Sequence, residues 1–410
     1  MTAGRIRGMP GDRVILHCDC NNFYASVELL SRPDLRDVPM AVGGDTSKRH
    51  GIILAKNMPA KRLGILTAMT VYQAVQICPD LVLLPPHHHL YHEISQKINR
   101  IYLSVTDQVE PFSVDESFLD VTGSVHLFGD GVQIADMLRR RIREEIGITI
   151  SAGVSFNKPW AKMGSDYRKP DATTLLDRET APVVLFPQSV DNMLFVGKRT
   201  AEVLKSQGIN TIGDLVASGP EALERLLGKA GPSLYTSAAG LDTSPVRVWG
   251  DTDPAKSISH AQTYARDLLG EDDWSPALLE LSEEVGSRLR RAHLKARSVS
   301  VQIKSPDLKV QSRQTTLDAP TASTDRLYRT ACELLRSAGF AHKPIRLLSL
   351  QASLLMPEDE DVPLQMSLFD EPRTEDPRRL QLEKTIDALR DRFGTQAVTR
   401  GKVTPPAGKK

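Results

Sequence analysis

Three acidic residues carry the clearest chemical signal in this 410-residue chain: Asp19, which ends the apolar run Val14-Ile15-Leu16-His17-Cys18, and the adjacent pair Asp115 and Glu116. Carboxylates brought together repel one another unless cations bind between them. Hard oxygen donors with open coordination positions suit magnesium, which keeps waters and takes substrate phosphates as its remaining ligands. Two such ions about 3.5–4 Å apart lower the pKa of an attacking hydroxyl and stabilise a leaving pyrophosphate. The chemistry implied is nucleotidyl transfer. An Asp-Glu pair alone is more often a solvated turn, so the reading depends on whether the fold carries Asp19 to the same place.

The run at 14–18 is short enough for a buried strand, and residues 89–105 follow a helical pattern. Residues 108–112 and 117–121 read as two strands around a tight connection that holds Asp115 and Glu116. Ile134, Leu138, Ile142 and Ile146 recur every four residues, predicting a helix stopped by Gly147, and 148–155 is a further strand. The order β-α-β-β-α-β is that of a ferredoxin-like sheet, here with residues 22–88 inserted after the first strand. In that topology the first strand runs parallel to the second and the third returns between them. The end of the first strand then lies beside the turn joining the other two, and the three carboxylates converge on one sheet edge. Nucleotide cyclases also place carboxylates on such a sheet and need no DNA, so the acceptor stays open at this level.

A second run of the same order spans 256–356, with helices near 275–292 and 323–338 and strands near 297–304, 309–317 and 345–355. It is expected to share the topology of the first but is basic where the first is acidic, with Arg288, Arg290, Arg291, Lys295, Arg297, Lys304, Lys309 and Arg313. Residues 178–247 look helical and Gly-punctuated. From Glu358-Asp359-Glu360-Asp361 onward the chain is too acidic and too poor in apolar residues to fold alone. Beyond it, Asp376-Pro377 begins a helix with Leu382, Ile386, Leu389 and Phe393 on one face, ended by Gly394; it has nothing local to pack on, and docking on the body or on a partner both stay open. The fold class is α+β and multidomain, as the length implies.

Hydrophobic content of 40% with 25% charged residues is ordinary globular composition, and no run approaches the roughly 20 apolar residues of a membrane span. The first thirteen residues lack the apolar core of a secretion signal, and four cysteines make a poor disulfide framework, so a cytoplasmic location is expected. Net charge is only +1, so affinity for nucleic acid must come from local basic faces. His87-His88-His89 with His92, and Cys18-x-Cys20, have no completing pair at zinc spacing. They read as exposed histidines leading into a helix and as strand cysteines flanking Asp19.

The run His17-Cys18-Asp19-Cys20-Asn21-Asn22-Phe23-Tyr24-Ala25-Ser26-Val27-Glu28, with Ser113-Val114-Asp115-Glu116-Ser117-Phe118-Leu119-Asp120, resembles the two catalytic motifs of Y-family, lesion-bypass DNA polymerases. Gly43-Gly44, Asn57-Met58-Pro59-Ala60-Lys61-Arg62-Leu63-Gly64, Ser151-Ala152-Gly153-Val154 and Ser165-Asp166-Tyr167-Arg168-Lys169-Pro170 fit as well, so the resemblance covers most of the chain. It implies a palm (12–21 and 86–177), inserted small fingers (22–85), a helical thumb (178–247), a little finger (253–357) and a flexible tail (358–410). By the same resemblance Asp19 and Asp115 would bridge two Mg2+ ions, Glu116 would bind the catalytic one, and the main-chain carbonyl of Cys20 would be a further ligand. Phe23 and Tyr24 would lie under the incoming sugar, Tyr24 as the steric gate against a ribose 2′-hydroxyl. Ordinary core packing is the plainer account of Phe23. Bulky Ile52 and Leu54 would line the roof over the templating base.

The triphosphate would meet Lys61 and Lys169, with Arg62 nearby. Here the chain departs from the commonest family pattern, having Ala55, Met58 and Lys61 where Thr, Tyr and Arg are usual; alanine and methionine cannot donate to phosphate, and lysine lacks arginine's bidentate fork. Weaker ground-state binding of dNTPs is expected. Asn21 replaces a common acidic residue at a position that is not a primary ligand.

Residues 193–209 resemble a helix-hairpin-helix element whose amides, around Gly197 and Lys198, would cradle a phosphate of the primer-template DNA. Phe195 stands where that motif commonly has its first glycine. Lys256, Arg297 and Arg313, placed on strands of the second run, would hold backbone phosphates without reading bases. Gln365-Met366-Ser367-Leu368-Phe369 matches the peptide by which bacterial polymerases bind the sliding clamp (beta subunit), with Leu368 and Phe369 as apolar anchors and Gln365 for registration. The overall expectation is a monomeric, error-prone translesion DNA polymerase without a proofreading exonuclease, nucleoid-associated when engaged on DNA. The alternative is a non-catalytic clamp and DNA adaptor of the kind some Y-family relatives are. Those lack the carboxylates, and this chain keeps all three.

Overall fold

The computed structural model describes residues 12–44, 51–337, 339–340, 342–360, 377–394 and 397–398, and it divides into two compact units, one up to residue 252 and one from 253 onward. In the first unit the strands are β1 (Ile15–Cys20), β2 (Met40–Gly43), β3 (Ile53–Lys56), β4 (Val82–Leu84), β5 (Val109–Pro111), β6 (Glu116–Asp120), β7 (Ile150–Ser155) and β8 (Thr173–Leu175). They form a five-stranded sheet in the order β5-β6-β1-β7-β8 and a three-stranded sheet in the order β3-β2-β4. The first four strands of the larger sheet are the ferredoxin-like set expected from the sequence. β6 returns antiparallel between β5 and β1, and β8 adds an edge strand parallel to β7 that the sequence pattern did not disclose.

Every residue of β1 is buried, so both faces of this strand are covered. Successive side chains of a strand point to opposite faces. Leu16, Cys18 and Cys20 join the core under the helices His88–Leu103 and Gly131–Glu145, which contribute Tyr91, Ile94, Ile98, Ile134, Leu138 and Ile142. The helix Gly131–Glu145 starts at Asp130, whose side chain and that of Gln133 close a capping box, and the chain leaves it at Gly147 with φ +88°. Ile15, His17 and Asp19 face the other way, onto the helix Lys158–Tyr167. That helix lies so close to β7 that a Cβ on Gly153 would come within 1.9 Å of the Ala161 carbonyl oxygen and 2.5 Å of the Ser165 nitrogen. Glycine is therefore required at 153 by the approach of two backbones. The segment expected to be helical between 178 and 247 contains helices Thr180–Leu185, Lys198–Ser206, Ile212–Ser218, Pro220–Leu227 and Ala230–Ala238 around Leu204, Ile212, Leu215 and Leu223.

In the second unit, β9 (Ser257–Leu268), β10 (Leu294–Lys304), β11 (Val310–Thr321) and β12 (Ile345–Pro357) alternate with helices Glu271–Arg291 and Thr324–Ser337 in the expected order. Their spatial order is β11-β10-β12-β9, all antiparallel, so the two runs do not share a topology. The first strand of the palm-like run sits inside its sheet; here it takes the outer edge. The burial of the two strands explains the difference. β1 is buried throughout, whereas β9 is largely exposed, and a polar strand is tolerated at an edge.

The helix Pro377–Phe393, whose docking partner the sequence left open, packs on the helix Glu271–Arg291. It does so mainly with its charged side: Ile386 is half-buried, whereas Leu382, Leu389 and Phe393 are exposed. Arg290, buried on the partner helix, donates from Nε to Asp387 at 2.6 Å and from Nη1 to Glu383 at 2.9 Å and to the Ala322 carbonyl at 2.8 Å. Glu383 in turn accepts from the Thr324 amide at 3.0 Å. Arg390–Glu283 and Arg379–Asp325 flank this centre. Removing the arginine strands two buried carboxylates, a loss of about 3–5 kcal/mol for a broken buried pair. Arg290→Leu is thus expected to release the helix, read as faster amide exchange over 377–393; unchanged protection there would mean that other contacts hold it.

Candidate active site

The geometry begins with the register of β1 and β6, in which Asp19 pairs directly with Glu116. The turn before β6 is tied to β1 by the Cys20 amide, which donates to the Asp115 carbonyl at 3.0 Å. The three carboxylates therefore meet at one edge of the sheet. Asp115 accepts from the Ser113 hydroxyl at 2.6 Å. Cys20 lies on the buried face beside them, and the chain turns at Asn22, with φ 50°, into the helix Phe23–Ser31. Asn21 donates to Thr149 at 3.0 Å and accepts from Ser151 at 2.9 Å, a structural role that leaves it outside the carboxylate group.

Two lysines neutralise part of the charge. Lys162, buried on the helix Lys158–Tyr167, places Nζ 3.2 Å from Asp19 and 2.5 Å from Glu116. Lys169 reaches Asp19 at 2.6 Å. The balance is incomplete: burial and the hydrogen bond with Asp19 push Glu116 up to about 7 against the pull of Lys162. Burial would raise Asp19 as well, but its hydrogen bond with Glu116 and the charges of Lys169 and Lys162 outweigh that and hold it low. Asp115 is raised, first by burial. Among the described residues no group of three His, Cys, Asp or Glu side chains is arranged to hold an ion, and the ammonium groups of Lys162 and Lys169 contact oxygens of Asp19 and Glu116. The donor set is nonetheless oxygen-only and carries unneutralised negative charge, which fits hard divalent cations. His17 lies beneath, its Nδ1 2.8 Å from the Ser165 hydroxyl and its Nε2 3.9 Å from Glu116, and burial keeps it neutral.

A cavity of about 390 Å³ opens from the carboxylates toward the small sheet and is lined by Asp19, Asp115, Glu116, Phe23, Tyr24, Lys56, Thr67 and Lys169 among others. Tyr24 stacks on Tyr91 at 4.1 Å between ring centroids and 13° between planes, with His88 edge-on to both. Tyr91 donates to the buried Glu28 at 2.5 Å, and His87 contacts the same carboxylate at 2.9 Å. The Tyr24 ring thus has a fixed backing. Phe23 is 3% exposed and belongs to the core while its edge reaches the cavity. Leu54 and Ala55 line the opposite wall.

Lysine placement around the cavity differs in part from the sequence reading. Lys169 lines it; Lys61 is exposed on the short helix Met58–Arg62 outside the lining, and Lys56, on β3, lines the wall instead. Burial and the nearby charge of Lys61 lower the pKa of Lys56, which donates to Thr67 at 2.7 Å. Strand alternation was the available signal, since Lys56 stands on the same face of β3 as Leu54. Asn57 is a structural cap, accepting from the Met40 and Ala60 amides at 3.1 Å.

Of the residues expected at DNA, Gly197 caps the helix Lys198–Ser206 with open space around it, and Lys198 is exposed at its first position. Phe195 adopts φ +68° and is 73% exposed, so this hairpin keeps the left-handed backbone that its usual glycine serves. In the second unit Lys256 precedes β9 by one residue rather than lying on a strand. Arg297 lies on β10 where its register with β11 shifts, and Arg313 lays its guanidinium 5.6 Å from the Phe340 ring, on the helix-covered side of the sheet. The uncovered face carries neutral donors: Ser259, Gln351, Ser300 and Gln314 stand in register across all four strands, and Ser349, Gln302 and Ser312 form the next row. Screening for basic residues missed this face. The clamp-type peptide, Gln365, Leu368 and Phe369, lies outside the described residues. No helix among the described residues is long and apolar enough to cross a membrane.

Comparison with known proteins places this geometry in a wider set. Residues 18–166 match the impB/mucB/samB family and residues 255–368 match the C-terminal domain of that family. A DNA polymerase IV of Acetivibrio thermocellus is 43% identical over 392 residues, covering 95% of this chain and 97% of the relative. DNA polymerase IV 1 of Bacillus subtilis is 34% identical over 402 residues, covering 96% and 94% respectively. Among solved structures, a Y-family DNA polymerase chimera of Dbh and Dpo4 superposes with a TM-score of 0.76 over 84% of this chain and 99% of that one, at 24% identity. DinB from Sulfolobus solfataricus gives a TM-score of 0.55 over 83% and 98%, also at 24% identity.

Proposed function

This chain belongs to the impB/mucB/samB family of Y-family DNA polymerases, and from that membership and the carboxylate edge we propose how it works. It is a template-directed DNA polymerase of the translesion class, binds primer-template DNA and dNTPs, and depends on divalent metal. The observation that carries the mechanistic reading is the Asp19–Glu116 register pair with Asp115 at the mouth of an aromatic-floored cavity.

Two Mg2+ ions would be held there by Asp19, Asp115, Glu116 and the main-chain carbonyl of Cys20. Bound there, they would supply a more acidic primer 3′-hydroxyl and positive charge for the leaving pyrophosphate. The chain's own residues do the rest. Tyr24, braced by Tyr91, fills the space of a ribose 2′-hydroxyl, and Phe23 supports it from the core. Lys169, Lys56 and the more distant Lys61 draw the triphosphate along the cavity wall toward the carboxylates. Lys169 must leave Asp19 to do so, and its side chain is the more exposed of the two lysines there. With no arginine fork or tyrosine at 58, ground-state nucleotide affinity is modest.

The four-part division into palm, small fingers, thumb and little finger follows the sequence boundaries given above. The thumb holds a backbone phosphate at Gly197 and Lys198. In the little finger, the Ser and Gln rows offer neutral donors to phosphates, a mode that positions a duplex without reading its sequence, with Lys256, Arg297 and Arg313 as its charged surroundings. Gln365, Leu368 and Phe369 engage the sliding clamp, and the enzyme acts as a cytoplasmic monomer. The test is incorporation opposite each of the four templating bases on otherwise identical primer-templates. The inserted nucleotide should follow the complement of the template; addition that ignored the template base would overturn the reading.

A further inference from the structure

Lys162 is the one cation built into the carboxylate cluster from below. Its helix is seated on β7 through Gly153, where there is no room for even a methyl group, and the neighbouring Ser165 hydroxyl is held by His17. Its side chain is 11% exposed, and its Nζ lies 3.2 Å from Asp19, 2.5 Å from Glu116 and 3.4 Å from Asp166. Lys169 is different: its side chain is 30% exposed, and it follows the helix rather than belonging to it. One lysine is therefore placed to exchange with solvent and substrate, while the other is fixed.

We propose that Lys162 is a resident counter-cation that competes with the incoming divalent ion for the oxygens of Asp19 and Glu116, and so sets the enzyme's affinity for metal. Without it the cluster would be three carboxylates meeting at one sheet edge with only Lys169 to offset them. With it, the same oxygens that bind an ion are already hydrogen-bonded, and the ion must displace Nζ and tolerate a positive charge a few ångströms away. The cluster is held together when no ion is bound, and ion binding is kept weak and reversible. Lys162 is a positioning residue in this account; it touches the metal ligands and neither substrate nor reacting atoms. The inference depends on Asp19, Asp115 and Glu116 being the ligands proposed above.

The test is direct binding of Mn2+ to the full-length protein without nucleotide, read by the electron paramagnetic resonance signal of the free ion. Wild type, Lys162→Gln, Lys162→Arg and Asp115→Ala/Glu116→Ala are compared, with circular dichroism to check folding. Lys162→Gln should bind Mn2+ at least about tenfold more tightly than wild type, as removal of a nearby like charge requires, while Lys162→Arg stays near wild type. Equal or weaker binding by a folded Lys162→Gln would overturn the proposal; Lys162→Met, which keeps the apolar stem, replaces it if glutamine is not tolerated. Failure of the ligand assignment itself looks different, because wild type and Asp115→Ala/Glu116→Ala would then bind Mn2+ alike.

Discussion

Replacing Asp115 and Glu116 together by alanine should lower single-turnover nucleotide incorporation by at least about 10⁴-fold, because each catalytic ion supplies several kcal/mol of transition-state charge stabilisation. Binding of primer-template should change little, since neither residue lies among the DNA contacts proposed at Gly197 and Lys198 or on the uncovered sheet face of the second unit. The fold should also survive. Both side chains stand at the sheet edge, and burial, with the hydrogen bond to Asp19, holds Glu116 up to about 7, so removing that desolvated carboxyl offsets the loss of its contact with Lys162. Rapid-quench incorporation, DNA binding by fluorescence anisotropy and thermal unfolding measure the three quantities separately. A variant that retained incorporation within an order of magnitude of wild type would remove the basis for the metal mechanism.

The second large effect concerns sugar selection. Tyr24→Ala should cut the preference for deoxyribonucleotides over ribonucleotides by about 10²-fold or more, the range expected when a clash worth about 2–3 kcal/mol is removed. A gate of this kind works only if the ring cannot swing aside. Here it cannot do so freely, since Tyr24 is stacked on Tyr91, and Tyr91 is hydrogen-bonded to a Glu28 carboxylate that is 4% exposed. The measured quantity is the ratio of kcat/KM for a dNTP and its ribonucleotide counterpart opposite the same template base. Tyr24→Phe keeps the ring and should keep the ratio. An unchanged ratio in the alanine variant would place the gate elsewhere on the cavity wall.

The parts of this molecule that a sequence discloses are those encoded by local patterns. The apolar run ending in Asp19, the four-residue periodicity of 134–146 and the acidic pair between two short strands each report on their own neighbourhood, and the ferredoxin-like order then brings them together. Long-range pairing is less legible. The second sheet has the same element order as the first, but whether its first strand lies inside or at the edge depends on how much of it is buried, and β9 is too polar for the interior. The docking of the last helix was not legible for a related reason: it rests on the buried Arg290 of another helix, which pairs with Glu383 and Asp387, and nothing local to the helix reports that partner. At the site, the convergence of the three carboxylates was legible because an acidic residue at a strand end and an acidic pair at a turn are distinctive. Lys162 was not, since a lysine on a helix ordinarily extends into water. Only its position three residues before Ser165, on the face turned toward Asp19, sets it apart. The Ser and Gln rows were missed because neutral residues leave no mark on a charge pattern.

The central claim is that the carboxylate edge uses two divalent ions to join a nucleotide to a primer. The most direct measurement is the Mg2+ dependence of single-turnover incorporation at saturating primer-template and dNTP. The account predicts a rate that vanishes without divalent ion and rises with more than first-order dependence on Mg2+ at low concentration, with the rise abolished in Asp19→Asn. A rate that persists in chelator, or a first-order dependence unaltered by Asp19→Asn, would contradict it.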